Sequence, residues 1–484
     1  MDANRRAVLI AGLAATAAAA GATVAATKGA SAAQTKDVPP PPLDGELKFD
    51  RATRDAAGED FGHLIRRTPE AVLVPGSDDD VAATIKWAAQ RHRKFAPQGQ
   101  SHSVFGRSEA EDGVVGDITA LSSVGNVQND RIVVGGGAKW SEILAVTLAA
   151  GKTPPVLLDY IELSVGGTIV VGGVGGTTSE YGVVADNVIE MKVVTGEGQK
   201  LTCSASQNSD LFDAVRAGLG QVGVITEATL KLVAAPESVR RYLLVYPDLA
   251  TMVADARLLS TSEDDRFDAV QGAVIPSPSG GFVFRLDLAK YFTGTAPDDG
   301  ALLAGLSDNP DARQISTLAY FDYVNRLAAL ENLLRSNGQW FFPHPWITTF
   351  VGDSDVQSVV SGELDRLNPP VDLGQFGQVV LSPIKRGAIE SPLLRMPSDS
   401  LCYAFNYVRV PTTDDTSNAS RLVEANKAMY QRVKNAGGTL YPVSAFPLNK
   451  NEWRQHFGSA FGRLDDAKRK FDPGHVLTPG YEIF

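Results

Sequence analysis

Apolar and polar positions change period several times along this chain, and each change marks an element. In "PEAVLVPGSDDDVAATIKWAAQRHRK", residues 69–94, a short apolar run meets a Pro-Gly turn. Val81, Ile85, Ala88 and Ala89 then fall on one face of a helix capped by the aspartates at 78–80. From residue 131 the pattern turns to glycine-punctuated β runs: "RIVVGGGAKW", "LSVGGTIVVGGVGGTTSEYG" and "NVIEMKVVTGEGQKLTCS". In "NSDLFDAVRAGLGQVGVITEATLKLV", an Asn/Ser/Asp cap precedes Leu211, Phe212, Val215 and Leu219 at helical spacing, with Gly220 as the stop. Ile225, Ala228, Leu230 and Leu232 continue as a strand. Residues 240–440 mix strands such as "GGFVFRLDLAKYF" with one long helical stretch, "YFDYVNRLAALENLLRSNG", and read as a second domain. The pattern predicts an α+β fold, and no repeat recurs at a fixed period.

The first 34 residues break this pattern. Paired arginines, Arg5 and Arg6, precede an apolar alanine-rich run and Ala30-Ser31-Ala32, the layout of a twin-arginine export signal over 1–32. An uncut N-terminal anchor is the other reading, but the run is too rich in alanine and glycine for a strong membrane span. No later stretch approaches the ~20 apolar residues a span needs. A secreted or periplasmic location follows as the expectation. Twin-arginine export carries folded proteins, which suits one that takes up a prosthetic group before leaving the cytoplasm. "TKDVPPPPLDGEL" is a proline-rich linker, assigned to 33–47, so the folded body is expected from residue 48.

At 484 residues the chain has room for two or three packed domains. Its formal net charge is -11, and the first 32 residues contribute +2, leaving -13 on the remainder. So acidic a body argues against nucleic acid and anionic membrane surfaces as partners and favours small-molecule chemistry. Two cysteines, Cys203 and Cys402, provide no disulfide framework, and whether they pair is not legible in the sequence.

The chemistry is narrowed by what is missing. No Walker lysine, HExxH or Cys/His cluster occurs, and "GGVGG" at 172–176 lacks the third glycine of a dinucleotide-binding turn. Glycines nevertheless line up at 166, 167, 172, 175 and 223, offering backbone that a large ligand can approach closely. One of only six histidines, His102, sits among glycines, serines and a glutamine in "APQGQSHSVFGRS".

That loop resembles the flavin-attachment loop of the vanillyl-alcohol oxidase and p-cresol methylhydroxylase (PCMH) superfamily and, within it, that of the cytokinin dehydrogenases. "LLDYIELSVGGTI" is similar to the family's "TDYLYLTVGGTL". The block "NVIEMKVVTGEGQKLTCSASQNSDLFDAVRAGLGQVGVIT" and the later "FDYVNRL", "PHPWITTFV" and "FDPGHVLTPGYEIF" continue the likeness from about residue 60 to 484. The resemblance implies a PCMH-type FAD-binding domain of two subdomains over 48–240, an α+β substrate-capping domain over 241–440, and a C-terminal segment, 441–484, that returns to the FAD domain. It implies FAD bound through Gly99, Gln100, Ser101, His102, Ser103, Gly106, Asp159, Gly166, Gly167, Thr168, Gly172, Gly175, Gly223, Val224, Ile225 and Tyr481, with His102 joined covalently to the flavin.

The family's "G-x-G-H-S" reads "GQSHS" here, placing Ser101 where a glycine is usual. No cysteine precedes "VGG" to make a second link, so His102 is the single attachment point. Asp159 and Glu331 take the family's catalytic positions, and Trp346 and Tyr481 the substrate wall. Tyr481 and Tyr181 replace the family's usual glutamine and histidine, changes expected near the flavin ring. The activity implied is hydride transfer from a secondary amine of the N6-substituted adenine type to FAD, then to oxygen or another acceptor, in a monomer or small homo-oligomer. An FAD-linked alcohol or sugar oxidase and a secreted, non-catalytic flavin-binding protein remain as alternatives. The residues alone also fit a loop-capping histidine, a turn aspartate, a solvated Glu331 and a core Trp346.

Overall fold

The computed structural model describes residues 38–261 and 264–484; the twin-arginine segment 1–32 lies outside them, as do residues 33–37 of the linker. The rest of that linker is folded. Asp80 explains why: its carboxylate accepts from the backbone of Asp44 (2.8 Å), Gly45 (2.7 Å) and Gly76 (2.7 Å), tying the chain to the start of the helix Asp78–Gln90. Strand Glu46–Lys48 then pairs with Ala71–Val74. The cap of this helix is Ser77, whose hydroxyl accepts from the Asp80 amide, and the three aspartates occupy the first turn, where the helix dipole favours them.

Two four-stranded sheets follow. In the first, Ala71–Val74, Val114–Asp117 and Phe95–Gln98 run parallel, with Glu46–Lys48 antiparallel on the edge. In the second, Arg131–Gly135, Gly223–Lys231, Val188–Thr195 and Lys200–Ser204 are antiparallel. The C-terminal segment closes onto both: the Phe95 amide donates to the Val476 carbonyl (2.8 Å), and buried Lys468 reaches the Gln221 carbonyl (2.7 Å) and Asp472 (2.7 Å).

Alternation builds the larger element, an eight-stranded antiparallel sheet over residues 238–440. In its strand Phe282–Phe292, Leu286 and Leu288 are fully buried on one face, against the helix Leu249–Leu258, while Arg285 and Asp287 face a cavity on the other. That cavity face meets the glycine-rich half of the molecule. Cys203 and Cys402 are both buried and unpaired.

Three local expectations change. "VGGTIVV", expected as β, is the helix Val165–Val171. Its first amides donate to the Ala138 and Gly136 carbonyls and its last carbonyls accept from Ala217 and Leu219, so tertiary partners override the β preference of Val and Ile. The helix Ser209–Val215 stops five residues before Gly220. The long stretch 320–338 is broken into Tyr320–Val324 and Ala328–Ser336. The interruption frees Arg326 to reach inward.

Candidate active site

After strand Phe95–Gln98 the chain turns at Ser101, which holds a left-handed φ of 52°. For a residue with a Cβ this conformation costs roughly 1 kcal/mol, which explains a preference for glycine there. Asp60 holds the loop in that shape: its carboxylate accepts from Ser103 Oγ (2.5 Å) and from the amides of Gly106 (2.6 Å) and Gly62 (3.0 Å). Burial pushes Asp60 up to about 6, against the pull of those three donors.

His102 emerges from this loop into an aromatic cluster. Its ring lies 4.2 Å from Phe61, 4.9 Å from Tyr160, 6.0 Å from Trp340 and 6.1 Å from Trp346, centroid to centroid. Burial, then the Arg335 charge, hold it down to about 3, so the imidazole is neutral at physiological pH and keeps a free nitrogen lone pair. His344 stacks on Phe61 at 4.2 Å, is likewise held down to about 3 chiefly by burial, and has no hydrogen-bond partner at either nitrogen among the described residues.

The loop opens on a cavity of about 650 Å³ between the glycine-rich half and the large sheet. Most of the residues singled out in the sequence meet there. Gly99, Gln100, Ser101, His102, Ser103, Asp159, Gly166, Gly167, Thr168, Gly175, Gly223, Val224, Ile225, Glu331, Trp346 and Tyr481 all line it. Gly106 and Gly172 do not. Gly106, at φ 65°, gives its amide to Asp60, and a Cβ there would strike Arg67; Gly172 ends the helix Val165–Val171 at φ 103°, beside Leu394. Tyr181 is also outside the lining, in the short helix Thr178–Tyr181, so its replacement of a histidine does not alter the cavity wall.

Asp159 is the one carboxylate that the glycine-rich half turns into this space. Gln271 Nε2 donates to Oδ2 at 2.9 Å and Arg326 pairs with Oδ1. Burial pushes the carboxyl up, but Arg326, Gln271 and the more distant Arg241 outweigh it and hold the group below its ordinary value. The side chain remains 41% exposed, facing the cavity, so an ionised acceptor is presented to whatever binds there. Arg326 shows the reciprocal effect, raised by Asp159 against the push of burial.

Glu331 is half-buried and pairs with Arg335 (2.8 Å), whose guanidinium lies 4.4 Å above the Trp340 ring. Burial and then the Glu331 charge push the neighbouring Tyr160 phenol well up, so it acts as a hydrogen-bonding hydroxyl. Trp346 Nε1 donates to the Arg409 carbonyl at 2.7 Å, which fixes the ring as a wall. Tyr481 is buried and pushed up to about 12, mostly by burial, so its phenol stays protonated near neutral pH.

Sequence reasoning missed Asp60, Gln271 and Arg326. Gln271 lies on the cavity face of a strand by simple alternation, and "YVNRL" placed Arg326 inside an apparent helix. Neither gave a local signal; only the 112- and 167-residue separations closed by folding bring them to Asp159.

Comparison with known proteins agrees with this geometry. Residues 69–204 match the family described as "FAD binding domain", and residues 276–484 the one described as "Cytokinin dehydrogenase 1, FAD and cytokinin binding". An uncharacterized oxidoreductase from the fasciation locus of Rhodococcoides fascians is 39% identical over 88% of this chain and 96% of that protein. Cytokinin dehydrogenase 7 of Oryza sativa subsp. japonica is 31% identical over 91% of each. Among solved structures, 6-hydroxy-D-nicotine oxidase from Arthrobacter nicotinovorans superposes with a TM-score of 0.71 at 20% identity, covering 92% of this chain and 98% of that one. Chitooligosaccharide oxidase gives a TM-score of 0.71 at 16% identity, covering 91% and 97%. These two likenesses concern the fold.

The residues present fit FAD. At two positions the glycine-rich wall has no room for a side chain: a Cβ on Gly99 would lie 2.1 Å from Ser164 Oγ, and one on Gly175 2.1 Å from the Leu157 carbonyl. Apart from Asp159 that wall carries no carboxylate to repel a pyrophosphate, and it includes Arg107.

Proposed function

We propose, for a chain that belongs to the cytokinin dehydrogenase family of PCMH-type FAD-linked oxidoreductases, that it oxidises a secondary amine of the N6-substituted adenine type. When bound, FAD supplies the hydride acceptor. The substrate carbon next to nitrogen loses hydride, the nitrogen loses its proton, and an imine results. Asp159 takes that proton. Its lowered pKa keeps it ionised, and a weak base suffices because the N–H becomes acidic as hydride departs. Gln271 and Arg326 keep one carboxylate oxygen each and so orient the remaining lone pairs toward the cavity. Phe61, Trp340 and Trp346 provide flat apolar surface for a heteroaromatic ring and exclude water.

His102 is the proposed covalent attachment point, since its neutral imidazole stands in the cavity with a free lone pair. The twin-arginine segment makes the protein an exported one, acting as a monomer or small homo-oligomer that passes electrons to oxygen or another acceptor.

The observation that carries the reading is an ionised carboxylate, doubly tethered, sharing one cavity with the flavin-attachment loop. Anaerobic mixing with neutral N6-substituted adenines tests it: bleaching of the flavin is expected. Bleaching by alcohols or sugars alone would replace this reading with an alcohol or sugar oxidase, and no bleaching across broad panels with a flavin-carrying binder.

A further inference from the structure

Three guanidinium groups from the capping half line the cavity: Arg241, Arg285 and Arg326. Two arrive with their own carboxylates. Arg241 donates to Asp287 through Nε at 2.9 Å and Nη2 at 2.6 Å, and Arg326 binds Asp159. Each Asp287 oxygen thereby holds one bond from Arg241. Arg285 has no such partner: its Nε is buried without a hydrogen bond, and it enters no ion pair among the described residues. Withdrawal from water weakens its hold on the proton, an effect that Asp287 offsets and Arg241 worsens.

A partly buried cation with no ion-pair partner of its own, whose neighbouring carboxylate is already engaged by Arg241, is characteristically retained where a ligand supplies the anion. The sheet register places it relative to the reacting end. Gln271, the tether of Asp159, is opposite Asp287, and Arg285 lies two residues along the same strand, about 7 Å away. It belongs to the next row across the sheet, which runs on through Ala273, Val380 and Asn406 and whose small apolar middle leaves space for a ring. Further along that row, Asn406 has its side-chain oxygen without a hydrogen-bond partner among the described residues.

We propose that Arg285 is a specificity-determining residue that pairs with an anionic oxygen group, carboxylate or phosphate, carried by the substrate about one sheet row away from its oxidised carbon. The inference rests on the reading that this cavity holds the substrate, and it narrows the substrate to an anionic amine.

The holoprotein tests it without turnover, by perturbation of the visible flavin spectrum on binding of benzoate, its neutral isostere benzamide, and inorganic phosphate. Wild type should bind benzoate or phosphate at least 10-fold more tightly than benzamide. Arg285→Ala should lose roughly 10- to 100-fold for the anion with benzamide unchanged, and Arg285→Lys should recover part of the loss. A response to benzoate assigns a carboxylate substrate, and a response to phosphate alone assigns a phosphorylated one.

No anion preference in wild type, or the same preference in Arg285→Ala, overturns the proposal. Loss of FAD from both variants also overturns it, by assigning the arginine to the cofactor. Bleaching by a neutral N6-substituted adenine without any anion preference would leave the amine reading intact and remove this one. Anion binding lost in Arg285→Ala with no bleaching by any amine would do the reverse.

Discussion

Replacing Arg326 by Gln removes the cation beside Asp159 while keeping a hydrogen-bonding side chain of similar reach. Two unit charges about 4 Å apart at an effective dielectric of about 20 interact by about 4 kcal/mol. Asp159 is 41% exposed to the cavity, where solvent screens part of this, so about half is a fair expectation. About 2 kcal/mol corresponds to ~1.5 pH units. The sign follows from the chemistry. In the wild type Asp159 is held below its ordinary value, so the rate of flavin reduction falls only at distinctly acid pH, as the base is protonated. Without Arg326, burial acts unopposed by that charge, the carboxyl titrates higher, and the acid limb moves up by about 1 to 2 pH units. The assay is stopped-flow flavin reduction across pH with the best substrate found. Arg326→Lys should leave the limb near its wild-type position, and Asp159→Asn should slow reduction by roughly 10²- to 10⁴-fold at pH above that limb, the gap closing as wild-type Asp159 is protonated. An acid limb that stays put in Arg326→Gln, or near wild-type reduction by Asp159→Asn with FAD retained, refutes the assignment of Asp159 as the base.

His102→Ala should retain FAD only reversibly, so flavin fluorescence that accompanies the wild-type band on a denaturing gel should vanish from the variant. Ser101→Gly should keep full FAD content, read as the ratio of visible to 280 nm absorbance, whereas Ser101→Val should lower it because a β-branched residue is strained at φ 52°. Glu109 is fully buried with both carboxylate oxygens unpartnered, and burial, then the Asp60 charge, push it up to about 8. A carboxyl raised on folding contributes stability that is lost as pH rises from about 4.5 to about 8, so Glu109→Gln should gain melting temperature relative to wild type at pH 8 and little at pH 5; an equal change at both would refute the buried charge. Arg5→Lys with Arg6→Lys should leave the protein in the cytoplasm, as seen by fractionation, because the twin-arginine receptor reads that pair.

Features set by neighbours along the chain were readable without coordinates. The strand and helix at 71–90 follow from local period and the turn between them, and His102 and Asp159 stood out because short motifs surround them. Ser101 was legible as a conflict, and the structure shows why: its φ belongs to glycine. What only the tertiary structure decided was set by partners far off in sequence. The helix Val165–Val171 owes its form to carbonyls at 136 and 138 and amides at 217 and 219, which no propensity of Val or Ile records. The break at residues 325–327 turned Arg326 toward Asp159. Alternation in the large sheet says that Gln271, Arg285 and Asp287 share one face or the other, but not that the face is a cavity, nor which of two arginines takes the one aspartate. Those outcomes depend on distance and competition for a counter-charge in space, and a linear pattern carries neither.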